Sequence, residues 1–524
     1  MKKYFKSICA ALGALMAVSA LTACGPIKRG GSTGDGGDDN IKPDDDGLAA
    51  SITVHYYAGG FGNETNKLLS ADFKALTGKT VKWEPSYTVG EIQQLLVNNQ
   101  ERFDIVMPLM NMYQAEDAKR LEDITSVYNS TYEGENKAIK DKMNQTLYEY
   151  IEAKDGKRYQ MFTQNSVSAM CYNADTLDEA FGEGNWELPR TTTELFKMGD
   201  QLKAKRYYTV GLATGINYNW DYLGTVWWAQ YDGLESFEHY WYGEYKDSAS
   251  GEWKKGTEIN DTDGRKYSLQ TLSRLLSSKN GYSHSLASRM TFEEAQRAFL
   301  GGGFVDDKKK VAFMVNGDWL ENEMSSYLLS HPQDIGMMRA PVVSEIIGKL
   351  ATVNTDAKLS EVVKAVDEGK TSVDGVSAED FETVRQARLM GYTATPNYPL
   401  GIPANRPESK KALAKKFLTY LYSDRAQKII AKELKGLCYP CYTPDETVPV
   451  SDFVRTRLDA FGNDMIPIFP HNRSQMVYRG GLGDLVNANG PDAKLYNGTT
   501  AENLLATCKK GLQDNWQNYL DALK

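Results

Sequence analysis

Between residues 52 and 108 three runs of strand-forming residues are separated by two amphipathic helical patterns, and this alternation limits the possible folds more than any other feature of the chain. ITVHYY (52–57) opens it and runs into the glycine-rich turn AGGFGN. Leu69, Phe73 and Leu76 then recur at i, i+4 and i+7, with Gly78 as a natural helix stop. TVKWEP (80–85) is the second run, EIQQLLVNNQ (91–100) carries Ile92, Leu95 and Leu96 on one helical face, and RFDIVMP (102–108) is the third run. Strands alternating with helices predict a parallel sheet with helices on its faces, an α/β class. Ligands of such sheets bind beyond the carboxyl ends of the strands, so the loops 58–64 and 108–113 are the candidate ligand loops.

Further along, LPRTTTELFKMGDQLKA predicts a helix within 189–206. NYNWDYLGTVWWAQYDG (217–233) follows, and six of its seventeen residues are Trp or Tyr. Taken as a helix it places Trp220, Gly224, Trp227 and Tyr231 on one face, with Trp228 pointing elsewhere. Trp220 and Trp227 are then the expected platform for a flat ligand, Gly224 leaves room for a ring, and Trp228 is core. Residues 243–283 are polar and predict a surface elaboration. A Lys-, Asp- and Glu-rich piece, 349–390, holds two helical patterns, the second beginning at Ser377. After a connection rich in Pro, Asn and Gly, residues 412–434 read as an amphipathic helical pair. The last helix is expected from Thr499, with Glu502 completing a capping box and Leu505, Cys508, Leu512 and Trp516 on the buried stripe.

The start of the chain sets the compartment. Lys2, Lys3 and Lys6 precede an apolar run, 8–20, that is too short to span a membrane and is followed by small residues, as in a secretory leader. The run ends in LTAC (21–24), which resembles a bacterial lipobox; that resemblance implies cleavage after residues 1–23 and a lipid on Cys24. Residues 24–50 are mostly Gly, Asp and Ser and predict a flexible tether. Their aspartates lack the spacing of a calcium loop. Loss of the leader with its three lysines takes the formal charge from −9 to −12, which argues against nucleic acid as a partner. The remaining chain is too long for one core and predicts at least two domains.

Several short stretches, taken in order, resemble the extracellular solute-binding proteins of sugar ABC importers, the maltose-binding-protein class. GGFGNE and DFKALTGKTVKWE resemble the family's first ligand loop and its helix ending in F-x-x-x-T-G before strand two. RFDIVMP with LEDIT, CYNADTL (171–177), LPRTTTEL, KKKVAFMVNGDWL (308–320) and ALAKKFLTYLYSDRAQ follow in the family's order and cover most of 51–524. The segments 243–283 and 341–391 are longer than the family pattern. The resemblance implies a two-lobe periplasmic-binding-protein-like fold of type II. Its N-terminal lobe would be residues 51–165 plus 396–445 and its C-terminal lobe 166–395 plus 446–524, with hinge crossings near 163–168, 393–400 and 442–448. It implies a monomer that takes an oligosaccharide, works with ABC permease subunits and sits at the membrane through lipidated Cys24, with no cofactor, no metal and no catalytic residue.

A sugar offers hydroxyls and apolar ring faces, so carboxylates, amides and aromatic rings are the candidate contacts. By resemblance Trp319 stacks on the sugar from the second lobe, with Asp318 beside it as a hydroxyl acceptor. Gly60 and Phe61 match the first ligand loop. Glu64 follows at a helix start, where an acid is also explained by the helix dipole. Asn111 matches a polar position after the third strand, Asn165 and Ser166 lie at the first crossing, Tyr398 lies at the second, and Tyr478 matches a late stacking ring. Each has a plain structural alternative as a turn, core or surface residue.

Competing chemistries are thin. The chain holds no HExxH, GxSxG or Walker loop, and its five His are scattered. Cys438-Tyr-Pro-Cys441 is the one redox-flavoured motif, read as a local disulfide or two structural thiols. A secreted glycosidase would need two opposed carboxylates about 5–10 Å apart, for which there is no local signature. A glycan-binding surface lipoprotein or sensor subunit not coupled to transport fits the same residues.

Overall fold

The computed structural model describes residues 46–58, 64–143, 145–163, 166–303, 308–393, 398–462, 464–469, 473–482 and 490–524. Cys24, the leader, most of the tether, Gly60, Phe61 and Asn165 lie outside the described residues.

The opening alternation folds as a parallel sheet. β1 (Ser51–Tyr57) is flanked by β2 (Thr80–Ser86) and β3 (Ile105–Met107), in the order β2-β1-β3. Ile52, Val54 and Tyr56 of β1 are buried. The helix Glu64–Thr77 covers them with Leu69 and Phe73, and the helix Glu91–Val97 buries Ile92 and Leu96. Leu76, expected on the buried stripe, is exposed, because the chain reverses through Gly78 at φ 74° directly after it. Phe73 meets Phe417 of the helix Glu408–Leu421 edge-on at 5.0 Å, tying the late helical pair to the first core. A short pair, β4 (Met161–Phe162) with β12 (Pro399–Leu400), is joined to β3 by the bridge Val106–Gly401.

The second sheet is mixed. It comprises β5 (Val167–Asn173), β6 (Tyr208–Gly211), β9 (Val311–Gly317), β10 (Ile335–Met338), β11 (Met390–Thr393) and β13 (Ile466–Ile468), in the order β13-β11-β5-β9-β6 with β10 also on β5. All seven residues of β9 are buried, as its unbroken apolar run VAFMV requires of a strand covered on both faces. A separate hairpin, β7 (Glu244–Lys246) with β8 (Trp253–Lys255), lies outside both sheets.

The segment 243–283 is therefore only partly a surface elaboration. Its hairpin is, but the helix Asp263–Leu276 is core, with Leu269, Leu272, Leu275 and Leu276 buried. Its small and polar residues misled the polarity reading: Gly264 and Ser268 are buried where this helix meets the helix Thr225–Asp232. The helices Asp356–Asp367 and Ala378–Leu389 form as expected, the second capped by Ser377, whose Oγ accepts from Asp380 N at 3.1 Å. The last helix, Ala501–Asp521, starts one residue later than expected. Thr500 is its cap, and Leu504 and Tyr519 replace Leu505 and Trp516 among its fully buried residues, beside Cys508 and Leu512.

The apolar side chains segregate into a core around the first sheet and cores on the faces of the second. The chain passes between them after β4, after β11, and between the helices Asp424–Glu433 and Asp452–Ala460. Among the described residues no helix is long and apolar enough to cross a membrane.

Candidate functional site

A cavity of about 620 Å³ lies where the two sheets face one another. Tyr56, Tyr57 and Met107 line it from β1 and β3, and Thr65 and Asn66 from the start of the next helix. Ser166 and Asp318 line it from the ends of β5 and β9. Arg457, Phe461 and Met465 close the same side, and Tyr398, Cys438, Tyr439 and Tyr442 come from the connecting segments. Both sets of strand ends thus contribute, as sheet geometry expects.

Asp318 is the best-defined polar group in this wall. It follows β9 directly and is only 3% exposed. Its backbone N–H donates to Val167 O at 3.0 Å, and its Oδ2 accepts from Val167 N at 3.1 Å, so the end of β5 holds it. Arg457 Nε lies 3.5 Å from the same Oδ2. Burial pushes the carboxyl above its ordinary range, and the Arg457 charge opposes this. Among the described residues its other oxygen, Oδ1, is buried without a hydrogen-bond partner, a state that costs about 1–3 kcal/mol unless something supplies a donor.

Tyr57 and Tyr398 face one another with ring centroids 6.4 Å apart. Tyr398 adopts φ 49°, an uncommon conformation for a residue with a Cβ. Its amide donates to Leu109 O at 3.0 Å and its carbonyl accepts from Thr163 Oγ1 at 3.0 Å, which fixes that turn. Burial pushes its hydroxyl up.

A second group of aromatic residues joins the two cores. Asn111 Nδ2 donates to Tyr478 Oη at 3.3 Å, and Tyr478 lies edge-on to Tyr113 at 5.3 Å. The Arg473 guanidinium sits 4.3 Å from the centre of the Tyr113 ring and pairs with Glu116. Met476, between Arg473 and Tyr478, is buried in the core of the second sheet, so this turn reaches from one core to the other. Asn111 and Tyr478 are thus brought together, but outside the cavity lining.

Of the other expected contacts, Ser166, Asp318 and Tyr398 line the cavity. Glu64 does not; it is exposed at its helix start, 2.7 Å from Lys67 Nζ. Trp319 is half-buried with its ring folded over Gly317, where a Cβ would come within 2.1 Å of it. It meets Tyr222 edge-on at 6.4 Å and so belongs to a tyrosine cluster with Tyr218 and Tyr392, beside the cavity rather than in its wall.

The expected platform of Trp220 and Trp227 is core. Trp220, Trp227 and Trp228 are 1%, 0% and 1% exposed. The Trp227 indole donates to Pro341 O at 2.8 Å, and the Trp228 indole to Asp232 Oδ2 at 2.8 Å. The segment Asn219–Gly224 is a π-helical turn, which carries more residues per turn than an α-helix and rotates the faces on either side of it. The room at Gly224 is filled by Leu272 and by the Trp220 ring itself.

Tyr57, Asn66, Tyr439, Tyr442 and Arg457 line the cavity and were not anticipated. Tyr57 had a signal, since it ends the first strand beside a candidate loop. Arg457 had none, because an arginine on a late helix reads as surface. Cys438 and Cys441 are free thiols in this structure. Among the described residues no group of three His, Cys, Asp or Glu side chains could hold a metal ion.

Residues 69–322 match the family model described as bacterial extracellular solute-binding protein. No curated protein matches the sequence. Among solved structures, a chitin oligosaccharide binding protein superposes with a TM-score of 0.60 at 18% identity, over 89% of this chain and 99% of that one. A family 1 extracellular solute-binding protein from Bifidobacterium longum subsp. infantis superposes with a TM-score of 0.57 at 15% identity, over 88% of this chain and 99% of that one. The mixed α/β architecture is that of the solute-binding proteins.

Proposed function

We propose that this chain, a bacterial extracellular solute-binding protein, captures a neutral oligosaccharide between its two sheets and delivers it to an ABC importer permease. The observation that carries the reading is the composition of the wall of the 620 Å³ cavity. Tyrosines of the first sheet and of the connecting segments offer faces for sugar C–H patches, and from the second sheet Asp318 Oδ1 offers an acceptor for a hydroxyl. The charged residues of the wall are already paired: Lys142 lies 2.6 Å from Glu135 and 3.1 Å from Asp424, and Arg457 faces Asp318. An acidic or basic ligand would find no open counter-charge there, which favours a neutral glycan. The chitin oligosaccharide bound by one structural relative is of that class.

A ligand touching both sheets would favour their approach, because only differential contact shifts such an equilibrium. Residues 51–165 with 396–445 and residues 166–395 with 446–524 are the proposed moving lobes, and the three passages between cores are the hinges. Ser166, Asp318 and Tyr398 are the proposed contacts in the cavity, with Asn111, Trp319 and Tyr478 able to meet a longer ligand at its margin. Cys24 after LTAC is the proposed lipid anchor, holding a monomeric body near the permease.

The test is a melting-temperature screen over neutral oligosaccharides, acidic oligosaccharides, amino acids and peptides, since a ligand that binds only the folded state raises the midpoint. A rise with a neutral oligosaccharide, recovered uncleaved, is the expected result. A rise confined to amino acids or peptides would overturn the sugar reading, and cleavage products would overturn the binding-only reading.

A further inference from the structure

The motif Cys438-Tyr439-Pro440-Cys441 is not used by sugar capture, yet it occupies a distinctive place. Cys438, Tyr439 and Pro440 line the cavity. Leu437, one residue earlier, packs with the core that holds Phe461 and Val454, whereas Tyr439, Cys441 and Tyr442 pack with the core of the first sheet. The chain thus changes core within the motif. Gly436 at φ 107° turns it in, and a hydrogen bond from Tyr442 N to Tyr439 O, 3.2 Å, closes the turn over Pro440.

Both thiols are free and each has a weak acceptor: Cys438 Sγ donates to Tyr442 O at 3.0 Å and Cys441 Sγ to Tyr422 O at 3.8 Å. They are close enough for the charge of one to raise the titration of the other. With two residues between them, the sulfurs can meet by side-chain rotation and a local change in the turn. Cys171, in the middle of β5, and Cys508, on the last helix, are both buried elsewhere in the fold.

We propose that Cys438 and Cys441 form a reversible dithiol–disulfide site in the cavity wall, at the third passage between the cores. The oxidant is a low-molecular-weight disulfide, for which glutathione disulfide is the probe. One cysteine thiolate attacks it, forming a mixed disulfide and releasing one glutathione thiol. The second cysteine displaces the other glutathione. The cysteine S–H bonds and the glutathione S–S bond are lost, the Cys438–Cys441 bond forms, and the two protons end on the two glutathione thiols. Burial pushes the Cys438 thiol up to about 12 and raises Cys441 as well, so the reaction is slow while the turn is packed. Once formed, the ring pins the residues where the chain changes core and removes the Cys438 bond to Tyr442 O.

The test uses the purified protein without any sugar, so its outcome is independent of the capture reading. The reduced protein is incubated with glutathione disulfide, alkylated, digested and examined by mass spectrometry, and hydrogen exchange is followed across 434–451. The expected result is a peptide with an internal Cys438–Cys441 bond that dithiothreitol reduces back to two thiols, with Cys171 and Cys508 still alkylated and exchange across the turn slowed. The Cys441→Ser variant should instead accumulate glutathione on Cys438. If both thiols of the wild-type protein stay free, or carry glutathione without closing, or pair with Cys171 or Cys508, the proposal is wrong; the wild-type arm decides even if the variant folds poorly.

Discussion

The Trp220 ring lies nearly parallel to that of Trp228, with centroids 6.3 Å apart and planes 23° from one another. Trp228 is in turn met edge-on by Phe237 at 4.9 Å and Tyr240 at 4.7 Å. These rings bind the aromatic block to the helix after it, and no face is left for a ligand. Trp228→Ala should therefore cost about 3–5 kcal/mol of stability, as for other large buried aromatics, and Trp227→Ala a similar amount. Urea unfolding measures both. A variant that unfolds at the wild-type midpoint but has lost oligosaccharide affinity would restore the platform reading.

Gly224 gives a finer test of the same packing. A Cβ there would come within 2.7 Å of Leu272 Cδ1 and 2.8 Å of Trp220 Cε3. Helix propensity alone favours alanine over glycine by about 1 kcal/mol. Overpacking a filled site costs about 1–3 kcal/mol, so Gly224→Ala should be destabilising on balance. A rise in melting temperature would show that Leu272 can move aside at no cost.

Asp318 separates a binding role from a folding role. Asp318→Ala leaves Arg457 without its 3.5 Å partner in a buried setting, and about 3–5 kcal/mol of stability should go with it. Asp318→Asn keeps the shape and one acceptor but loses the charge. For the neutral oligosaccharide that gives the largest thermal shift, calorimetry on this variant should show affinity lower by roughly ten- to a hundredfold, the value of a charge-assisted hydrogen bond of about 1.5–3 kcal/mol. Unchanged affinity would remove Asp318 from the ligand contacts.

Asp221 and Asp492 set a pH dependence. Burial, and then the charge of Asp492, push Asp221 up to about 8. Burial pushes Asp492 up to about 7, against hydrogen bonds from Asn219 and Trp220. In the unfolded chain such carboxyls titrate near ~3.9. The folded state therefore holds protons that the unfolded state releases. Their contribution to stability is complete below that unfolded value and is lost as the pH rises through about 7 and then about 8. The melting temperature should fall between pH ~4 and about 8 and level off above, and Asp221→Asn should flatten the upper part of that fall. A wild-type midpoint that is level or rising over this range would contradict the assignment.

The sequence alone determined the elements whose signal is local. The opening alternation became β1, β2 and β3 with their helices, because periodicity and a glycine stop act within one turn or strand. Ser377 capped its helix for the same reason. The order of short motifs carried the resemblance to sugar-binding solute-binding proteins, and residues 69–322 match the family model of bacterial extracellular solute-binding proteins. What faces what was decided only in three dimensions. Whether Trp227 met a ligand or Pro341 depended on a π-turn that shifts the helical phase and on a helix at 263–276 that reads as polar surface. Arg457 joined Asp318 across 139 residues of chain, and Tyr57 joined Tyr398 across 341, pairings that no local rhythm encodes. Local propensity writes elements along the chain, whereas a cavity wall is assembled from the ends of elements that only packing brings together.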